Sequence, residues 1–226
     1  MKAMLLAAGQ GTRFRPQTNQ TPKPALPFLN VPLGYYFFPF LKSAGVESLV
    51  VNTFHLPEQV KKIYRAQKAF PTEFSDEIEQ ILGSGGGLGK ARAPFQKEKD
   101  FFLLNADEIF IPFDPQFLEK MKQQHQKRQA ISTLLVMEHP EVGTKFGGIW
   151  LNSNNEVIGF GKVRPQGAIK GYHFIGAQIL NQEIFKFIPA IGESNILHDN
   201  LVSAMRSGHK VEIFETAGHW YEIGNL

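Results

Sequence analysis

The chain opens with an apolar run that breaks abruptly into glycine: Leu6-Ala7-Ala8-Gly9-Gln10-Gly11-Thr12-Arg13, followed by Pro16, Thr18 and then Pro22-Lys23-Pro24. A short apolar segment ending in glycine predicts a buried strand over Lys2 to Ala8. In an open α/β sheet, the loop leaving the carboxyl end of such a strand is where ligands bind. Glycines there let the backbone approach a phosphate and turn its N–H groups toward it. Arg13 and Lys23 add positive charge, and the two prolines around Lys23 stiffen the chain that aims it. Two familiar phosphate loops are absent. The pattern G-x-G-x-x-G fails at Phe14, and no G-x-x-x-x-G-K-[ST] occurs.

The remaining pattern alternates strands with helices. Strands are expected at Ser48 to Asn52, Glu73 to Glu79, Phe101 to Ala106 and Ile131 to Glu138. Helices are expected at Leu33 to Ala44, with Pro39 kinking it or marking a late start, at Pro57 to Lys68 and at Pro115 to Gln129. From Phe146 onward the chain is strand-rich: Gly147 to Leu151, Glu156 to Phe160 and Tyr172 to Leu180. Helices over Gln182 to Ile188 and Asn195 to Ser207 and a strand over Lys210 to Glu215 complete it. The fold class implied is α/β: a mostly parallel, Rossmann-like sheet flanked by helices, with a small strand-rich insertion walling one side of the site. At 226 residues, the length suits a single domain over 1–226.

Composition narrows the chemistry. The chain has no cysteine, which excludes thiol nucleophiles, disulfides and Cys-based zinc sites. The formal net charge of +3 comes without any Lys/Arg run, so nucleic acid is not an expected partner. The seven histidines are scattered, with no H-x-x-x-H spacing, and no G-x-S-x-G element occurs. No apolar stretch approaches a membrane span, and the first apolar run leads into Gly9 and Arg13 rather than a cleavage site. The expectation is a cytoplasmic protein; oligomeric state is not readable.

Two further segments carry candidate chemistry. Gly83-Ser84-Gly85-Gly86-Gly87-Leu88-Gly89 reads as a glycine loop. Consecutive glycines cost backbone entropy, so either they let backbone approach a flat base or they form a flexible surface turn. Asp107 ends an apolar strand, where it can hold Mg²⁺, a hard cation that takes oxygen ligands and phosphates, or cap the next turn.

The opening run resembles the signature of the sugar-nucleotide pyrophosphorylase (sugar-1-phosphate nucleotidyltransferase) family, approximately L-A-A-G-x-G-T-R-x-x-P-x-T and then P-K-P. Similar blocks follow in order at Val31-Pro32-Leu33, Ala44-Gly45-Val46, Val51-Asn52-Thr53, Leu103-Leu104-Asn105-Ala106-Asp107 and Gly218-His219-Trp220-Tyr221-Glu222-Ile223-Gly224. The resemblance implies that Gly9, Gly11, Thr12 and Arg13 wrap a triphosphate, that Lys23 contacts the reacting phosphates, and that the backbone at Ala7 and Ala8 approaches the base. Arg13 and Lys23 would be the catalytic pair. Gly86 and Gly87 would contribute to reading the base, and Asp107 would be the first Mg²⁺ ligand. The family's second ligand is usually an Asp in W-x-D-x-G, where this chain has Glu222. On the acceptor side, Lys162 falls where many relatives use a Lys on the sugar phosphate, and Gly147 and Gly176 match glycines that let sugars approach the backbone. Gly161-Lys162-Val163 replaces the usual E-K-P, and Lys162 also reads as a surface lysine.

The implied reaction joins a nucleoside triphosphate to a sugar 1-phosphate, with Mg²⁺, and releases pyrophosphate. The likeness is to the muramic-acid-1-phosphate uridylyltransferase and mannose-1-phosphate guanylyltransferase-like branch, and UTP is weakly favoured over GTP or dTTP because the Gly-rich loop and the Gly218-His219-Trp220 segment resemble the muramic-acid-phosphate enzymes. Two other readings stand beside it. One is a nucleotide-binding regulatory relative with impaired catalysis. The other is a cytidylyltransferase acting on a non-sugar alcohol phosphate.

Overall fold

The computed structural model describes residues 1–223. The strands are β1 (Lys2–Leu6), β2 (Pro27–Phe28), β3 (Val31–Pro32), β4 (Ser48–Thr53), β5 (Thr72–Asp76), β6 (Asp100–Asn105), β7 (Ile109–Pro112), β8 (Ser132–Met137), β9 (Gly148–Leu151), β10 (Val157–Gly161), β11 (Lys170–Asn181), β12 (Val211–Glu215) and β13 (Gly218–Tyr221). The helices are α1 (Phe38–Ser43), α2 (Pro57–Ala66), α3 (Gly83–Lys90), α4 (Phe117–Arg128) and α5 (Val202–Arg206). Among the described residues, no helix is long and apolar enough to cross a membrane.

Nine strands form one sheet, in the order β10-β9-β11-β6-β1-β4-β5, with β8 pairing β11 and β12. The centre, β6-β1-β4-β5, is parallel. The long strand β11 runs antiparallel to β6, β8 and β9. Side chains alternate across this sheet, as the two-residue period of a strand requires. Ala3, Leu5, Leu49, Val51, Phe102 and Leu104 face a core under α1, α2 and α4. Met4, Val50, Phe101 and Leu103 face a second core under α3 and α5. Phenylalanines fill both: Phe37, Phe40, Phe110 and Phe117 interlock edge to face on one side, and Phe95, Phe101 and Phe185 pack on the other.

The structure corrects several expectations. Gly83 to Gly89 is not a loop but most of helix α3. Glycine is a poor helix former, and here packing overrides propensity. A Cβ on Gly85 would overlap Asn200 Oδ1, one on Gly86 would overlap the Gly192 carbonyl, and one on Gly89 would stand 2.7 Å from Ile188. The strand-rich part is continuous with the main sheet, which β9 and β10 extend as a hairpin beyond β11. The helix expected from Leu33 starts late: a 3₁₀ turn at Leu33–Tyr35 precedes α1, which carries Pro39 in its first turn. The polar stretch Gly9 to Asn30 holds three 3₁₀ turns and the first strand of the β2–β3 hairpin. Gln182–Lys186 is a 3₁₀ turn rather than a full helix, and Ile196–Leu201 is a π-helical segment leading into α5. Strands β7 and β13, which pair with each other, lie outside the strands that the sequence pattern predicts.

Candidate active site

The phosphate-type loop leaves β1 and is held from below. Gly11 sits at φ +60°, and a Cβ there would come within 2.8 Å of Thr18 Cγ2. The buried Thr18 hydroxyl donates to the Gly11 carbonyl at 2.8 Å. A ring nitrogen of His55, just past β4, meets the Thr18 carbonyl at 2.6 Å. The loop is thereby tied to two places on its own scaffold, while a Cβ built on Gly9 has no neighbour within 4 Å among the described residues. Arg13 is exposed on the Thr12–Phe14 turn.

Lys23 lies on the Lys23–Ala25 turn between its two prolines. Its ammonium donates to Asp107 Oδ2 at 2.6 Å and stands 5.4 Å from the centre of the Phe14 ring. Asp107 follows β6, the strand beside β1. Residues separated by 84 positions in the chain therefore face one another across a cleft of about 220 Å³. Ala7, Gly9, Gly11, Thr12 and Arg13 line the same cleft. Ala8 is buried behind it.

A second cavity of about 240 Å³ shares Arg13, Lys23 and Asp107 with the first. Its far wall holds Glu108, Phe146, His173, Trp220 and Glu222. Glu108 accepts from the Trp220 indole N–H at 2.9 Å and from the Asn105 amide at 3.2 Å. Burial, and then the neighbouring Asp107 carboxylate, push its carboxyl above the ordinary range. His173 packs between Trp220, at 4.3 Å between ring centres, and Phe146, at 4.9 Å. Neither of its ring nitrogens has a hydrogen-bond partner among the described residues. Burial chiefly, and His139 secondarily, push this imidazole down to about 4.

The expected acceptor and metal residues are placed unevenly. Glu222 lines the second cavity, but its carboxylate lies 2.5 Å from Lys145 Nζ. Gly176, at φ +74°, is covered by Glu108, whose Cγ would overlap a Cβ there. Gly147 lies against the backbone of Gly161 and Lys162, with a Cβ position 3.4 Å from Gly161 Cα. Lys162 is exposed just after β10. Gly86 and Gly87 are buried in α3. Gly224 lies outside the described residues.

Sequence reasoning passes over Glu108, His173 and Glu77, and it gives Asn52, inside the quoted block Val51-Asn52-Thr53, no role. Glu108 stands directly after the expected metal ligand, and Trp220 lies inside the closing block quoted above, so two signals are present. His173 gives none, since its position depends on how β11 crosses the sheet.

Mg²⁺ is bound in proteins by one or two carboxylates together with substrate phosphates and water. Asp107 supplies such a carboxylate at the cleft, with its side chain 31% exposed. Among the described residues, no three His, Asp or Glu side chains gather as a ready-made metal cage. The donor set fits an ion that arrives with a polyphosphate.

Comparison with known proteins bears on family and fold. Over 238 aligned residues the chain is 27% identical to the UTP–glucose-1-phosphate uridylyltransferase of Synechocystis sp., with all of this chain and 61% of that protein covered. It is 28% identical to the mannose-1-phosphate guanylyltransferase catalytic subunit beta of Danio rerio, covering 99% and 61%. The chain thus spans 61% of the length of these relatives. The fold matches that of a UDP-glucose pyrophosphorylase crystallised with UDP-glucose (TM-score 0.79, 24% identity, 99% of this chain and 93% of that one). It also matches that of an inositol-1-phosphate CTP transferase from T. maritima (TM-score 0.79, 22% identity, 99% and 89%). The sequence profile of the nucleotidyl transferase family runs over residues 2–226, across every loop that builds the two cavities, and the chain is a member of that family.

Proposed function

We propose that this chain is a sugar-1-phosphate nucleotidyltransferase. In this reading it takes a nucleoside triphosphate, UTP first among them, and a sugar 1-phosphate, and forms a nucleoside diphosphate sugar and pyrophosphate. The observation that carries the reading is the pair of cavities meeting at Arg13, Lys23 and Asp107. One is walled by loop backbone, as a triphosphate requires. The other is walled by aromatic rings and polar side chains, as a sugar phosphate requires. The names of the relatives, one a uridylyltransferase and one a guanylyltransferase, point to the same reaction class.

A sugar 1-phosphate has a second pKa near ~6, by analogy with phosphorylated side chains, so at neutral pH its oxygen is already a nucleophile and needs no general base. The obstacle is bringing two polyanions into line. Backbone N–H groups from Gly9 to Thr12 would receive the triphosphate, while Arg13 and Lys23 neutralise charge around the α-phosphate. An acceptor phosphate oxygen forms a bond to the α-phosphorus, the bond to the bridging oxygen of the β-phosphate breaks, and pyrophosphate departs. Magnesium, when bound, supplies further charge neutralisation of the phosphates, with Asp107 as its holder and Glu222 as the second carboxylate once released from Lys145. In this reading Ala7, Ala8, Gly86 and Gly87 would serve the base, and Gly147, Lys162 and Gly176 the acceptor. The chain is read as one domain.

The test is a matrix of UTP, GTP, CTP and dTTP against glucose 1-phosphate, mannose 1-phosphate, N-acetylglucosamine 1-phosphate and inositol 1-phosphate, with released pyrophosphate measured. Acceptor-dependent release with a sugar phosphate supports the reading. Release with inositol 1-phosphate alone favours a non-sugar acceptor, and binding without release anywhere favours a regulatory role.

A further inference from the structure

A chain of three short hydrogen bonds runs beneath the candidate nucleotide site. The Ala7 N–H donates to Asn52 Oδ1 at 2.7 Å, the Asn52 amide donates to Glu77 Oε1 at 2.7 Å, and the Leu82 N–H donates to Glu77 Oε2 at 2.7 Å. Asn52, near the end of β4, is 2% exposed, and Glu77, which follows β5, is 4% exposed. The Glu77 N–H is itself fixed to the Thr53 carbonyl at 2.8 Å. Gly87 lies directly over the pair: a Cβ there would be 2.7 Å from both Asn52 Nδ2 and Glu77 Oε1. Ala7 begins the loop after β1, and Leu82 is the residue that opens α3. The two segments joined, the start of the first loop and helix α3, are both ones that the proposed function assigns to the base.

We infer that Asn52 and Glu77 are a positioning pair for the nucleotide: they set the spacing between the backbone at Ala7–Ala8 and the start of α3, and so govern affinity for the base without touching the reacting phosphates. The inference rests on the nucleotidyltransferase reading above. Directionality makes the pair specific. The two outer donors, the Ala7 and Leu82 N–H groups, both point inward, so the two side chains between them must present three acceptors and one donor. A carboxylate followed by an amide meets this demand. Two amides cannot, because one donor is always left facing another.

This gives an exchange test. Glu77→Gln orphans one buried donor, and Asn52→Asp sets two carboxylates against each other. The double variant Asn52→Asp/Glu77→Gln restores every bond with the two groups exchanged. The carboxylate introduced on β4 accepts from the Ala7 N–H and from the amide introduced after β5, and the oxygen of that amide accepts from the Leu82 N–H. Calorimetric titration with UTP and with tripolyphosphate, both with magnesium, separates base affinity from phosphate affinity, and circular dichroism reports the folded fraction. The expected result is UTP binding weakened by about tenfold in each single variant, the scale of one unsatisfied buried hydrogen-bonding group. Tripolyphosphate binding is unchanged in the singles, and UTP affinity returns in the double variant. The inference is overturned if the folded single variants bind UTP as wild type, if they lose UTP and tripolyphosphate in equal measure, or if the double variant stays as weak as the singles. If a single variant does not fold, the double variant decides alone. Wild type that binds no nucleoside triphosphate would instead defeat the functional reading beneath the inference.

Discussion

Lys23 Nζ lies 2.6 Å from Asp107 Oδ2, so a cation expected to meet phosphate and a carboxylate expected to meet metal hold each other across the cleft. An incoming Mg²⁺–triphosphate presents opposite charge to each, and exchanging one pair for two leaves no charge unmatched. Lys23→Ala is expected to lower turnover by ~10²–10³, the scale of one preorganised transition-state contact. Arg13→Ala should do the same. Pyrophosphate release at saturating substrate measures both, and wild-type turnover in a folded variant would remove that residue from the reaction.

Asp107→Asn keeps the shape of the side chain and removes the charge. Magnesium dependence of pyrophosphate release should shift to much higher concentration, while binding of metal-free nucleotide is retained. An unchanged magnesium titration would place the ion elsewhere.

Two glycines provide a contrast between folding and binding. A Cβ at Gly85 would overlap Asn200 Oδ1 and stand 2.5 Å from Ser194 Oγ. Gly85→Ala is expected to destabilise the fold by about 1–3 kcal/mol, as overpacking does. A Cβ at Gly9 would meet nothing within 4 Å among the described residues. Gly9→Ala should therefore leave thermal unfolding unchanged and weaken nucleotide binding, because the added methyl occupies space reserved for phosphate. Equal melting curves with equal nucleotide affinity in Gly9→Ala would argue against backbone approach at that point.

The His173 imidazole is pushed down to about 4 from an ordinary 6.5. In the unfolded chain the ring takes its proton near 6.5, and in the folded chain only near 4. The fold therefore has its full share of stability from this residue above 6.5, loses it progressively as pH falls, and has lost all of it below about 4. His173→Phe, which keeps the ring packed against Trp220 and Phe146, should lessen the fall in denaturation midpoint across this window. Identical pH profiles for variant and wild type would contradict the assignment.

Trp220→Phe preserves the aromatic stack and deletes the N–H that Glu108 accepts at 2.9 Å. The expected cost is about 1–3 kcal/mol of unfolding free energy, because a buried acceptor loses its donor. Chemical denaturation measures it, and a variant as stable as wild type would show that water replaces the indole.

How much was legible in the sequence differs from one segment to the next. The strand Lys2–Leu6 and the loop after it could be read because apolarity, glycine and charge change together at one point. The parallel strands β4 and β6 were legible as short apolar runs, Leu49 to Val51 and Phe101 to Leu104, bounded by polar residues. Helix α3 was not, because its glycines are chosen for what lies against them, Gly192, Ser194 and Asn200, all distant in the chain. Local propensity cannot encode that packing. The aromatic wall of the second cavity was equally hidden. His173 and Trp220 meet only because β11 crosses the sheet antiparallel while β13 folds back onto β7. Asn52 reads in the sequence as part of a strand, and its hydrogen bonds to Ala7 and Glu77 depend on the register of β1 with β4 and β5.

Following labelled phosphorus through one turnover tests the account most directly. With UTP, magnesium and a sugar 1-phosphate, label placed on the α-phosphate should appear in a nucleoside diphosphate sugar, and label placed on the γ-phosphate should appear in pyrophosphate. Label that stays in UTP with every sugar phosphate and every triphosphate offered, or that emerges only as inorganic phosphate, would contradict it.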